Sequence, residues 1–370
     1  MIRNTLQIIL STIVLTLLTS GLMAQNCHIE GRVTVPELQG KNITVLNLKS
    51  GKPLASTKIV DSTFALDITV GEPFVGMLKT DPQNNNPRSY YFLRIVGESG
   101  NIYADLVTDS LSGSPLNDRL GQYWRKCSYD ISVMNAIISQ VKNTISMPES
   151  EKDRLRQDYD QRFQKFVEYL AKTYEANKNN AVGAFVMEDL LDYSEIDYES
   201  VLAMLEGAAP VVTTYPQLRA KLSAMEKVSH TAPGKQFIDL DLTDYKTGKP
   251  IKLSKVIKGK VALIDFWASW CGPCRREIPN LAKIQEKYGS NKDFVLVSLN
   301  VWDKPDAQAK AIKDMKMVWT QLTDATRNAT DTYGVDGIPQ ILLIGKDGKI
   351  IARNLRGEDI EKAVKKALEK

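Results

Sequence analysis

The sequence predicts a multidomain chain: a β-rich N-terminal domain, a helical middle region and a C-terminal α/β domain. Three observations carry that reading. Between Cys27 and Asp109, short runs rich in Val, Ile, Thr and aromatics are separated by turn residues. Beyond "SGSPLND" the apolar residues recur at steps of three or four, the period of a helix face. From Lys235 onward, apolar runs alternate with amphipathic stretches, the order of an α/β sandwich around a mixed sheet. The expected divisions are 1–24, 25–112, 113–228 and 229–370.

The first division reads as an export signal. Arg3 supplies the positive start, Leu6 to Leu22 is apolar apart from Gln7, Ser and Thr, and Ala24 is the small residue at the cleavage point. Leu22, three positions before the cut, is larger than usual there. An uncleaved membrane anchor is the alternative, because the segment approaches the roughly 20 residues that span a bilayer. Ser11, Thr12, Thr16, Thr19 and Ser20 dilute the hydrophobicity and favour cleavage. A lipid-modified Cys27 is a third outcome, although "AQN" before it lacks the expected small residue. Each outcome places the chain in the periplasm or cell envelope.

In the β-rich part, "RVTVPEL", "KNITVLNL", "TFALDITV", "FVGML" and "YYFLRIV" read as strands of a small sandwich or barrel, with turns at "KSGKP" and "DPQNNNP". In the helical part, Leu155, Tyr159, Phe163, Phe166, Leu170 and Tyr174 form one face of a helix. Leu190, Leu202, Met204 and Leu205 belong to further helices that end near Val228. "SHTAPGK", Ser229 to Lys235, is the best boundary. After it come a doubly buried strand "KVALIDFW", a helix from about Cys271 to Tyr288, strand "DFVLVSLN" and helix "PDAQAKAIKDM". "QILLI" and "KIIAR" flank the hairpin turn "GKDG", and "EDIEKAVKKALEK" closes the chain as a helix.

Composition excludes several chemistries. Lys+Arg 48 against Asp+Glu 44 gives a net charge of +4 with no long run of one sign, which argues against nucleic acid as a partner. His28 and His230 are the two histidines, both expected at the surface, so a Ser-His pair or a His-rich metal site has little to draw on.

The chemistry concentrates in "DFWASWCGPC", which holds two of the four cysteines. A structural zinc needs four ligands, and Cys27, Cys127 and the histidines offer no second close pair; no metal and no cofactor is predicted. As a staple the pair closes too short a loop to remove much entropy from the unfolded chain. Redox use fits the surroundings. The thiolate of Cys271, expected to be exposed, would meet the free N–H groups and positive dipole end of a helix, which lowers its pKa. Cys274 lies one turn further in, shielded and placed to resolve a mixed disulfide. Pro273 suits the first helical turn.

Asp265 interrupts an apolar run, so burial should raise its pKa and let it exchange a proton with Cys274. The alternative is an ion pair at the strand edge, with Lys260. Ile338-Pro339 precedes a strand and is expected to be cis, offering open backbone groups to an extended peptide; a plain strand-start proline is the alternative. Cys27 and Cys127 are expected to be unpaired, although an oxidising compartment permits a second disulfide.

"DFWASWCGPC" followed by "DGIPQILLIGKDGKI" resembles thioredoxin. With the export signal and "TAPGKQF", residues 230–370 resemble the TlpA/ResA-like thiol-disulfide oxidoreductases of the bacterial envelope. The resemblance implies a thioredoxin-like fold for this part. It also implies Cys271 as nucleophile, Cys274 as resolving cysteine, Pro339 as the cis-proline and Asp265 as the buried aspartate. Glu277 matches a glutamate that ResA-like proteins place near the site, its alternative being a solvated helix carboxylate. Trp270, Gly272, Pro273 and Ile338 would form the rim that meets a substrate. One departure is Ser298, which stands where thioredoxins often pair the aspartate with lysine.

The implied partners are disulfide-bearing client proteins and an envelope thiol protein as electron donor. Membrane association through the N-terminus and a homodimer are both open. Gly-Pro between the cysteines points to a reductase. The alternatives are an oxidant or isomerase of the same fold, a peroxiredoxin-like peroxidase, or a client-binding module with the thioredoxin-like part as accessory. Ala268 counts against the peroxidase, since peroxiredoxins carry Thr or Ser there. Residues 27–228 resemble the uncharacterised N-terminal region of such envelope proteins, for which client recruitment, dimerisation and a spacer are all open.

Overall fold

The computed structural model describes residues 25–83, 89–144, 146–324, 326 and 328–369, so the expected leader lies outside the described residues. The chain divides into two compact units. The first runs to Ser194 and includes Gly207–Leu218; the second takes Glu195–Glu206 and the chain from Arg219 onward.

The first unit begins with eight strands: β1 Gln25–Arg32, β2 Asn42–Asn47, β3 Lys52–Lys58, β4 Thr63–Val70, β5 Phe74–Thr80, β6 Phe92–Gly97, β7 Gly100–Asp105 and β8 Ser110–Ser112. They form two four-stranded sheets, ordered β4-β1-β7-β8 and β3-β2-β5-β6. Strict alternation along β4 buries Phe64, Leu66, Ile68 and Val70. β1 corrects the expected strand at "RVTVPEL". The chain leaves the sheet after Arg32, and Pro36, which has no N–H to give a ladder, opens a 3-10 turn over Pro36–Leu38. Part of the expected turn "KSGKP" likewise belongs to β3. Gly31 has a steric cause: a Cβ there would stand 2.1 Å from the Ala104 carbonyl oxygen of β7.

Helices α1 Pro115–Asn143, α2 Glu149–Asn177 and α3 Ala181–Tyr193 follow, then α4 Tyr198–Leu205, α5 Pro210–Thr213 and α6 Pro216–His230. On α2 the expected face is present: Leu155, Phe166, Leu170 and Tyr174 are buried, with Tyr159 and Phe163 half-buried. No helix among the described residues is long and apolar enough to cross a membrane.

The second unit continues with β9 Asp241–Asp244, β10 Pro250–Lys252, α7 Leu253–Ile257, β11 Val261–Trp267, α8 Gly272–Tyr288 and β12 Phe294–Asn300. Then come α9 Pro305–Asp314, β13 Thr320–Thr323, α10 Asn328–Tyr333, β14 Gln340–Ile344, β15 Ile350–Ala352 and α11 Glu358–Leu368. The seven strands form one sheet, ordered β10-β9-β13-β12-β11-β14-β15. β11, β12 and β13 are parallel neighbours, while β14 is antiparallel to β11.

Every residue of β11 is buried, as its unbroken apolar run requires. The pleat then sorts its side chains. Val261, Leu263 and Trp267 pack on the layer of α8, α9 and α11; Ala262, Ile264 and Phe266 pack on that of α7 and α10. Asp265 shares the parity of Leu263 and Trp267, so it belongs to the face that holds Cys271 and Cys274. That placement makes the site.

Candidate redox-active site

β11 ends at Trp267, and a short turn delivers the chain to the N-terminus of α8. Cys271 is the N-cap of that helix, and its Sγ accepts the N–H of Cys274 at 3.1 Å. Cys271 and Cys274 are joined by a disulfide. Pro273 lies in the first turn, where a helix has no use for its missing N–H. The N-cap sulfur thus occupies the place where a capping oxygen usually satisfies an orphan donor.

Cys271 was expected to be exposed, and the structure corrects this. It is 3% exposed and Cys274 is 2% exposed. Joined to Cys274, Cys271 belongs to the buried cluster with Ala268 and Ile278, and its Sγ stands 3.6 Å from the Ile338 carbonyl oxygen. A disulfide sulfur has no proton to donate, so in this state that approach is a contact only. What faces solvent is the rim: Trp270 is 61% exposed, and Gly272 and Pro273 are exposed beside it. Ile338-Pro339 is cis and precedes β14.

Asp265 is buried at 1% exposure in the middle of β11. Ser298 lies directly across on β12, and its hydroxyl donates to the carboxylate at 3.0 Å. The Trp319 indole N–H, which can only donate, gives its hydrogen to Ser298 Oγ at 2.9 Å. The serine proton is thereby directed at Asp265. Burial pushes the Asp265 carboxyl up to about 7, with Ser298 and Arg356 pulling it down and Glu277 pushing it up. Lys260 is not its partner: it precedes β11, and at about 3.3 Å per residue it starts roughly 16 Å from Asp265.

Glu277, one turn after Cys274, is not a freely solvated carboxylate. Both its oxygens accept the N–H of Gly357, the N-cap of α11, at 3.3 and 3.2 Å, and Asn280 donates to it at 3.3 Å. Beside Gly357, Arg356 donates to the carbonyls of Leu355 and Pro339.

Sequence reasoning missed Arg356, Trp302 and Asp303. Trp302 has φ +55°, an uncommon left-handed conformation for a bulky residue, and its carbonyl accepts the Trp270 indole N–H at 3.0 Å. Asp303 accepts from Ser269 N–H and Oγ–H and from Asn300, so the β12–α9 loop holds the turn in front of Cys271. Asp303 in "NVWDKP" is a signal for a turn, but nothing local in it says which segment it grips.

The remaining candidates lie on other elements of the chain. Cys27 and Cys127 are free and buried, and burial pushes their thiols up to about 11 and about 12, which leaves them poor nucleophiles at neutral pH. His28 bonds Asp67 at the surface and His230 is exposed. Among the described residues no cluster of His, Cys, Asp and Glu has the makings of a metal site.

Comparison with known proteins adds to this geometry. The model of the Redoxin family matches residues 229–369. The thiol-disulfide oxidoreductase ResA of Bacillus cereus is 31% identical over 170 residues, which is 46% of this chain and 92% of that protein. The thiol:disulfide interchange protein HelX of Rhodobacter capsulatus is 30% identical over 130 residues, 35% of this chain and 61% of its own. Among solved structures, the thioredoxin domain of a thiol-disulfide oxidoreductase from Bacteroides vulgatus is 32% identical. The match covers 36% of this chain and 96% of that one, with a TM-score of 0.34.

Proposed function

The chain belongs to the ResA-like thiol-disulfide oxidoreductases, and from that premise we propose that it reduces the disulfides of client proteins in the cell envelope. The observation that carries the mechanism is Cys271 as N-cap of α8, its sulfur already taking the Cys274 N–H. On reduction, that amide and the helix dipole favour a thiolate on Cys271 over one on Cys274. The Cys271 thiolate attacks a client disulfide, forming a mixed disulfide and releasing one client thiolate. Cys274 then gives its proton to Asp265 and attacks Cys271 Sγ, expelling the second client thiolate. Trp270, Gly272, Pro273 and the Ile338 carbonyl are the surface on which an extended client segment rests. A second thiol protein restores the dithiol.

The reducing direction rests on charge. Asp265 and Glu277 against Arg356 leave a net negative charge on the face beneath the cysteines once Asp265 ionises, and an anion disfavours a thiolate. Arg275 and Arg276 are exposed and screened. No histidine separates the cysteines. The expected reduction potential is therefore nearer the thioredoxin value of about −270 mV than the DsbA value of about −120 mV. Equilibration against a glutathione buffer series measures it. A value above roughly −170 mV would make the protein an oxidant or isomerase.

We place the start of the catalytic domain at Ser229. The segment after it is stitched to the β14–β15 hairpin: Gly234 N–H donates to Ile350, Ile350 N–H to Lys235 and Phe237 N–H to Gly348. Arg353 donates to the carbonyls of Thr231 and Tyr333. A fragment of residues 229–370 should fold and reduce insulin with dithiothreitol as donor. One starting at Phe237 leaves the half-buried guanidinium short of acceptors, at a cost of roughly 1.5–3 kcal/mol. Its melting temperature should fall by about 5–10 °C. Equal melting of the two fragments would place the boundary further along the chain.

A further inference from the structure

The connection from β15 to α11 is held in one shape. Asn354 and Gly357 both have positive φ, at 56° and 52°, and Leu355 N–H donates to the Ile341 carbonyl of β14 at 3.2 Å. Arg356 sits between these fixed points, half-buried. Its guanidinium gives one N–H to Leu355 and another to Pro339. The two carbonyls that flank the Pro339 Cα are thus both engaged: that of Ile338 faces the Cys271 sulfur and that of Pro339 is gripped by Arg356.

The same residue has an electrostatic setting. Glu277 of α8 accepts the N–H of Gly357, the next residue in the chain. Asp265 projects from β11 into the same layer, as its parity with Leu263 and Trp267 shows. Around Asp265 the neutral donor is Ser298 of β12, itself held by Trp319, and the charged groups that act on it are Arg356 before α11 and Glu277 of α8. Cys274 and, when reduced, Cys271 are the thiols on the same face. Without Arg356, two carboxylates would share a layer with no compensating cation acting on Asp265.

We propose that Arg356 is a positioning residue of the redox centre, holding the Pro339 carbonyl while its charge keeps Asp265 available as the anionic acceptor for the Cys274 proton. This rests on the dithiol mechanism proposed above. In the step concerned, the Cys274 S–H proton passes to the Asp265 carboxylate and a Cys274–Cys271 bond forms. The Cys271–client bond breaks, and its electron pair leaves on the client sulfur, which takes a proton from water. Arg356 exchanges nothing. It sets the pH at which the acceptor is charged and the direction in which the Pro339 peptide faces.

The test uses the full chain, reduced and loaded at Cys271 with thionitrobenzoate, whose release reports the attack of Cys274. That leaving group departs readily, so proton transfer and attack govern the rate. In the unaltered protein, release should rise with pH through the ionisation of Asp265. Absence of any intramolecular release there would sink the dithiol mechanism and leave Arg356 aside. Given release, Arg356→Met should move the profile to higher pH by about one unit and slow release at neutral pH about fivefold, the effect of losing one nearby opposite charge. Arg356→Lys should restore the position of the profile. If Arg356→Met fails to fold, Arg356→Gln, which keeps an N–H donor for Pro339 but no charge, is read instead. A charge-free variant with an unshifted profile, whatever its rate, would overturn the proposal, because a merely structural arginine would change the rate alone.

Discussion

Cys271→Ser should leave no client reduction above the uncatalysed background, while Cys274→Ser should turn the protein into a covalent trap. Both cysteines are buried, so exposure does not separate their roles. What separates them is the helix. Cys271 caps α8 and already accepts an amide hydrogen, whereas Cys274 lies within the first turn, with its own N–H pointing at the Cys271 sulfur. A serine hydroxyl at position 271 has no accessible anion at neutral pH and forms no disulfide, so the first attack disappears. A serine at 274 leaves that attack intact and removes only resolution. Insulin reduction measures the loss; non-reducing electrophoresis and mass spectrometry of mixtures with an unfolded disulfide protein detect the trapped adduct. In the reduced wild type, where the helix end favours a thiolate on Cys271, alkylation at neutral pH should label Cys271 much faster than Cys274. Adducts that form in Cys271→Ser through Cys274, or equal labelling of the two, would reverse the assignment.

How much of this was legible beforehand depended on whether the information was local. The redox pair, the proline before β14 and the doubly buried β11 are short stretches whose meaning lies in their own spacing. Asp265 announced itself as a charge inside an apolar run. Glu277 was visible as a position but not as an interaction, because its partner Gly357 lies 80 residues away in sequence. Arg356 was invisible for the same reason: an arginine before a helix reads as surface until the fold brings Pro339 to it. Trp302 and Asp303 became part of the site only when β12 paired with β11 and set its loop beside Ser269. In the first unit, α1 falls inside the expected helical region, but its buried face was not assigned. Leu120, Tyr123, Cys127, Met134 and Ile137 mark its buried face at helical spacing, but polar residues between them dilute the signal. β1 was displaced because Val33 and Val35 look like strand residues while Pro36 decides otherwise.

Asp265→Asn should make the protein more stable at pH 8 and slower to resolve its mixed disulfide. The folded-state pKa of Asp265 is raised by burial from 3.8 to about 7. Below the unfolded value both states hold the proton and its contribution is fully present. Between the unfolded and folded values the native state holds a proton that the unfolded chain has released, so stability falls as pH rises through the folded value and is level above it. About three pKa units correspond to about 4 kcal/mol lost between pH 4 and pH 8, and asparagine does not titrate. Its oxygen keeps the hydrogen bond from Ser298, but its amide hydrogens enter a buried site at a cost of roughly 1–3 kcal/mol. The net expectation is a gain of about 1–3 kcal/mol at pH 8 that vanishes or reverses near pH 4, read from urea unfolding at the two pH values. The kinetic cost runs the other way. With no carboxylate to take the Cys274 proton, resolution should slow by about a hundredfold near pH 7, the usual scale of one general base. Its pH profile should then follow the thiol alone. An identical pH dependence of stability in the two proteins would mean that Asp265 is charged in the native state across this range, and the carboxylate would have to be removed from the proton path.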